Sequence, residues 1–111
     1  MNPEITYDDF LKIDIRLGTI LNAEHFPIAH KPAFKIKIDF GYLGILKTSA
    51  QITTLYSISE LKGKQVIAVV NFKPKQIANF MSECLILGIK NDEDVILLHT
   101  VNKVTNGTSI R

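Results

Sequence analysis

The chain has 111 residues, a formal net charge of +2, 46% hydrophobic residues and one cysteine. That length suits a single domain, 1–111, with a core that removes roughly two thirds of the unfolded chain's surface from water. The balance excludes a strongly basic nucleic-acid tail, no apolar run reaches the ~20 residues of a membrane helix, and a lone Cys84 excludes an intrachain disulfide, which fits a reducing, cytoplasmic setting.

Met1-Asn2-Pro3-Glu4 has neither the basic nor the apolar region of a signal peptide. Thr6 to Lys12 reads as a short helix. Thr6 caps it, Asp9 three residues on completes a capping box, and Asp8 and Asp9 suit the positive end of the helix dipole. Asp14 to Glu24 follows as a strand, with Ile15, Leu17, Thr19, Leu21 and Ala23 alternating with Arg16, Gly18 and Asn22. Gly18 predicts a bulge or bend there. His25 to Pro32 is a loop with two prolines. Phe34, Ile36, Ile38 and Phe40 then alternate with Lys35, Lys37 and Asp39, the clearest half-exposed strand. Gly41 to Gly44 turns the chain, and Ile45 to Ser49 returns antiparallel. Ser57 to Glu60 matches a second capping box, and Gly63 ends its short helix. Val66 to Val70 is a buried strand, Asn71 to Lys75 a polar, basic loop, and Cys84 to Leu87 a second apolar strand entered through Ser82 and Glu83. Asn91 to Asp94 turns into Val95 to Leu98, and Asn106-Gly107 marks a turn in the tail. The sum is mainly β: a five-stranded, partly open Greek-key barrel of OB-fold type, with a short N-terminal helix and a small helix between strands three and four. Such folds bind oligonucleotides or peptides on strand faces and loops.

No catalytic constellation accompanies this pattern, so neither enzyme activity, a metal nor a cofactor is expected. His25, His30 and His99 are scattered without metal-ligand spacing. Cys84 opens an apolar strand and reads as a small buried hydrophobe rather than a nucleophile. Gly41 and Gly44 are isolated and form no phosphate loop. What remains is a binding surface. Lys62, Lys64, Lys73 and Lys75 occur with no acid between them, and Lys31, Lys35, Lys37 and Lys47 are opposed only by Asp39. The acids gather at Asp8, Asp9 and Asp14 and at Asp92-Glu93-Asp94. This is either a basic face for an anion or a mixed, solvated surface. Asn71, Lys73, Lys75, Gln76, Asn79, Ser82 and Glu83 cluster in one strand-loop-strand unit and offer donors, acceptors and charge for phosphates. Phe72 and Phe80 flank that loop, either packed inward to hold it or free to stack on bases.

At these residues the chain resembles the CsaA family, and through it the wider group of tRNA-binding OB-domains, over nearly its whole length. The resemblance is carried by Asp14-Ile15-Arg16-Leu17-Gly18-Thr19-Ile20, Ile38-Asp39-Phe40-Gly41, Ser49-Ala50-Gln51-Ile52-Thr53, Leu61-Lys62-Gly63-Lys64-Gln65-Val66, Val70-Asn71-Phe72, Pro74, Ile77-Ala78, Phe80, Ser82-Glu83, Leu85 and Asn106-Gly107-Thr108. Ser49-Ala50-Gln51-Ile52 and Ile77-Ala78-Asn79-Phe80 are similar to the CsaA forms. Asn79 stands where that family has glycine, a position expected to need unusual backbone angles. The resemblance implies a homodimeric, non-enzymatic chaperone that binds unfolded preproteins and the export motor, with no membrane insertion. Its peptide groove is expected near Ile77, Phe80 and Met81, and its dimer contact at Phe10 and Leu11 with Val104 and Ile110. The alternative implied by the tRNA-binding relatives is a tRNA site at Lys35, Lys37, Asn71, Lys73, Lys75 and Ser82. Cys84-Leu85 replaces the Gly-Met that usually follows Ser-Glu in those relatives, and Gln76 stands where they often carry a basic residue. Both departures weaken that alternative.

Overall fold

The computed structural model describes residues 1–29 and 31–111, so His30 lies outside the described residues. The elements run α1 (Tyr7–Leu11), β1 (Ile15–His25), β2 (Phe34–Asp39), a 3-10 turn (Gly41–Leu43), β3 (Ile45–Ala50), α2 (Ile58–Leu61), β4 (Gln65–Val69), β5 (Lys75–Ile77), β6 (Phe80–Ser82), β7 (Leu85–Ile86), β8 (Gly88–Asn91) and β9 (Asp94–Leu97).

Both helices start where local chemistry dictates. The Thr6 hydroxyl accepts from the Asp9 N–H, and the Asp9 carboxylate accepts from the Thr6 N–H. Ser57 and Glu60 repeat the arrangement at α2. The backbone N–H of each cap residue holds its partner carboxyl, Asp9 or Glu60, below its ordinary pKa.

β1 organises the sheet because it is long enough for two partners. Its first half pairs antiparallel with β4 and its second half with β2. β2 continues to β3, and β4 to β7, giving the order β3-β2-β1-β4-β7. This is the five-stranded, OB-type barrel with α2 between its third and fourth strands.

The bend in β1 lies between Ile20 and Asn22, where its register with β2 shifts. It does not lie at Gly18, as the sequence suggested. The shift also breaks the expected alternation, so that Ile20 and Ala23 are buried while Leu21 is exposed. Gly18 has a different reason: a Cβ there would lie 2.6 Å from Ile38 Cγ2 and 2.7 Å from Phe40 Cδ1. The missing side chain lets β2's large residues cross over β1.

Ile20, Ile36, Ile38, Phe40, Leu61, Val66 and Ala68 fill the interior. Leu61, projecting from α2, joins this core and is fully buried. The edge strands β3 and β7 form no ladder with each other. Instead the Glu83 N–H donates to the Lys47 carbonyl (2.8 Å), and the Lys47 N–H donates to Glu83 Oε1 (3.0 Å). Thr48 Oγ1, buried between them, donates to the Cys84 carbonyl (2.7 Å).

Two ribbons were not legible as strands. β5 and β6 form a hairpin inside the connection read as loop after Asn71, and β8 with β9 forms another where only Val95 to Leu98 was expected. The expected strand Cys84 to Leu87 shrinks to Leu85–Ile86. Cys84 instead turns its carbonyl to Thr48, and only the Leu87 N–H continues toward β4, at the Ile67 carbonyl.

Candidate binding surface

The β5–β6 hairpin leans on the outer edge of β3. Ser82 Oγ lies 3.0 Å from Thr48 Oγ1 and accepts from the Ser49 N–H (3.3 Å). Between hairpin and barrel lies a groove of about 300 Å³, lined by Ser49, Phe72, Lys73, Lys75, Ile77, Ser82, Cys84 and Leu85. Ile77, Cys84 and Leu85 supply apolar surface. Phe72 is 56% exposed, and the exposed Lys73 and Lys75 add charge.

The hairpin register sorts the expected site residues. Lys75 pairs with Ser82 and Ile77 with Phe80, so these four share one face, while Gln76 pairs with Met81 on the other. Ile77 and Phe80 therefore lie together. Met81 points away from them, and it is exposed. The unusual backbone angle falls on Ala78 (φ 53°), not on Asn79.

Phe80 takes the inward course rather than standing free. Its ring meets Phe26 edge-on at 5.5 Å, with Lys47 Nζ at 5.3 Å and Lys35 Nζ at 5.9 Å from its centroid. Such cation–ring contacts are electrostatically favourable. Lys35 also pairs with Glu24 at 3.2 Å. Phe72, by contrast, is the ring left open to a ligand. Lys37 is exposed on the outward face of β2.

Asn71 is committed elsewhere. Its Oδ1 accepts from the Asp14 N–H (2.9 Å) and its Nδ2 donates to the Lys12 carbonyl (2.7 Å), fastening the link from α1 to β1. Ser82 is likewise held by β3. Of the six residues expected for tRNA, then, Lys37, Lys73 and Lys75 are exposed, Lys35 is half-buried and paired with Glu24, and Asn71 and Ser82 bond within the chain. Lys47 and Phe72 are the additions that sequence reasoning left outside its site.

Cys84 is buried, and burial, with the charge of Glu83, pushes its thiol up to about 12. It stays protonated and acts as apolar groove wall. Among the described residues no three His, Cys, Asp or Glu side chains gather as a metal site. No described helix is long and apolar enough to cross a membrane.

The expected dimer residues lie at two places. α1 buries no residue, with Phe10 half-buried and Leu11 exposed. Ile5, Tyr7 and Ile13 around it are exposed too. Val104 and Ile110, both half-buried, belong to the C-terminal segment laid along β1.

A family model described as "Putative tRNA binding domain" matches residues 15–109. The CsaA chaperone of Bacillus anthracis is 45% identical and superposes with a TM-score of 0.93, covering 98% of this chain and 100% of that one. The CsaA chaperone of Picrophilus torridus is 50% identical, with a TM-score of 0.91 over 97% of this chain and 100% of that one. Methionine–tRNA ligase 1 of Bacillus anthracis is 36% identical over 97% of this chain, which spans only 16% of that enzyme.

Proposed function

The chain belongs to the tRNA-binding domain family, in its CsaA branch, and from that premise we propose that it is a non-enzymatic chaperone module that holds exposed apolar segments of unfolded preproteins. The observation that carries this reading is the groove: an apolar wall of Ile77, Cys84 and Leu85 beside an exposed Phe72 and a polar, cationic rim. Apolar surface with a few placed polar groups is what a side-chain pocket requires. Whole-length likeness to two CsaA chaperones supports it. The module acts in the cytoplasm as a homodimer and hands clients to the export motor. A capped but unburied α1, ringed by Ile5, Tyr7, Leu11 and Ile13, supports a dimer contact that includes Phe10 and Leu11. Two grooves on one dimer raise avidity for an extended client.

The test is anisotropy of a labelled, unfolded preprotein titrated with the protein. The Phe72→Ala/Leu85→Ser variant should bind about tenfold more weakly, or about 1.4 kcal/mol, with its fold intact. Unchanged affinity would remove the groove as the client site.

A second reading, tRNA binding, is favoured by a separate observation. Among the described residues Lys37, Lys47, Lys73 and Lys75 have no ion-pair partner, since the ion pairs found are Lys12–Asp9, Arg16–Asp14 and Lys35–Glu24. The same titration with labelled bulk tRNA at low and moderate salt decides it. Phosphate contacts make affinity fall steeply with salt, whereas a peptide in an apolar groove is far less sensitive.

A further inference from the structure

Lys37 and Lys47 stand directly opposite each other across β2 and β3, and Asn22 stands opposite Lys37 across β1 and β2. Directly paired residues share a face of the sheet, so these three form one row on the outward side. Like charges in that position destabilise the sheet that carries them. Among the described residues no carboxylate forms an ion pair with Lys37 or Lys47. Asp39, two residues along, accepts from the Gly41 N–H (2.8 Å). Glu24 pairs with Lys35, and Glu83 accepts from the Lys47 backbone N–H. Lys47 Nζ rests over Phe80, which fixes its place without neutralising it.

We infer that Lys37, Lys47 and Asn22 form a phosphate site for an RNA backbone. A phosphodiester between the amines relieves their repulsion, and the Asn22 amide offers a neutral donor beside it. From Lys47 the same face continues through Ser49 into the groove, where Phe72 is exposed and Lys73 and Lys75 stand by. The site therefore anchors a strand whose next nucleotides reach an aromatic ring, the pairing of cation and stacking platform that unpaired nucleic acid requires. This inference rests on the tRNA-binding reading and adds the residues that hold the backbone.

The test has two arms. In the first, thermal unfolding of the full chain is followed at low salt with and without inorganic tripolyphosphate. Without the anion, Lys37→Gln/Lys47→Gln should unfold at a higher Tm than wild type. With it, wild type should gain Tm, the double variant should not, and Lys73→Gln/Lys75→Gln should keep most of the gain. An equal gain in Lys37→Gln/Lys47→Gln, or none in wild type, overturns the site. In the second arm, bulk tRNA is titrated across salt. The double variant should lose ~1.4–1.8 from the slope of log affinity against log salt, two contacts at ~0.7–0.9 each. An unchanged slope leaves tRNA binding in place and overturns this site. Wild type that answers tripolyphosphate but binds no tRNA overturns the RNA reading while leaving an anion site.

Discussion

Two segments lie outside the barrel ladder and have opposite characters. The C-terminal stretch from Val104 to Ile110 runs along β1, with Val104, Asn106, Gly107, Thr108 and Ile110 all hydrogen-bonded to the barrel. Gln65 Nε2 donates to the Val104 carbonyl (2.6 Å), and the Val104 N–H donates back to Gln65 Oε1 (3.0 Å). Asn106 Oδ1 receives the Thr19 hydroxyl (2.7 Å), Arg16 Nη1 donates to the Gly107 carbonyl (3.0 Å), and the Gly107 N–H donates to Leu17 (2.7 Å). The stretch from Phe72 to Ser82 is fastened along one side, by the Ser82 hydrogen bonds and by Phe80 packing on Phe26, and leaves Phe72, Lys73 and Lys75 in solvent. One segment completes the fold and the other presents chemistry. Both contain motif residues of the same family resemblance, so motif membership does not separate structural from binding roles. Hydrogen-bond commitment does.

The sharpest way to break this contrast is at the turn that locks the tail. A Cβ on Gly41 (φ +64°) would lie 2.4 Å from the Asn106 carbonyl oxygen, and one on Gly107 (φ +89°) 2.5 Å from that of Phe40. The two turns thus meet backbone to backbone. Gly41→Ala should cost about 3 kcal/mol in urea unfolding, combining backbone strain with the clash. Gly63→Ala is the control, because Gly63 has φ +85° with nothing within 4 Å. It should cost only the strain, about 1 kcal/mol. Equal costs would mean that the lock contributes nothing.

A smaller effect sharpens the same line. Gln65→Leu leaves the buried side of Val104 without two bonds and should cost about 2 kcal/mol. Lys73→Ala, at an exposed position with no partner, should stay within about 0.5 kcal/mol of wild type. If Lys73→Ala destabilised as much as Gln65→Leu, the loop would belong to the fold and not to a ligand.

What the sequence disclosed follows the same division. Thr6-Asp9 and Ser57-Glu60 were legible because a capping box is a matter of four consecutive residues. β2 was legible because its alternation is unbroken. The hairpin β5–β6 was not, since strands of three residues are too short to show a period, and its turn places the strained angle on Ala78 rather than on the residue built to tolerate it. Met81 was grouped with Phe80 for want of that register. Lys47 was within reach: a turn at Gly41 to Gly44 pairing Asp39 with Ile45 also pairs Lys37 with Lys47. The commitments of Asn71 to Lys12 and Asp14 span 57 residues or more and leave no local trace.

A pH dependence probes the wall of the groove itself. Burial, then the charge of Glu83, raises the Cys84 thiol to about 12, while the Thr48 hydrogen bond opposes them. Because the folded value lies above the unfolded one, the protonated thiol stabilises the fold fully below the unfolded pKa of ~8.5. That stability is lost as pH rises from there toward about 12. Wild type should therefore decline in unfolding free energy above about pH 9 more steeply than Cys84→Ala, where the lysines and tyrosines titrate alike in both. Parallel curves would mean that water reaches the thiol and that the groove floor is wet, which would remove the apolar contrast with the tail. A steeper wild-type decline, with Cys84 slow to react with iodoacetamide at about pH 8.5, places a dry wall beside a solvated rim, as a side-chain pocket requires.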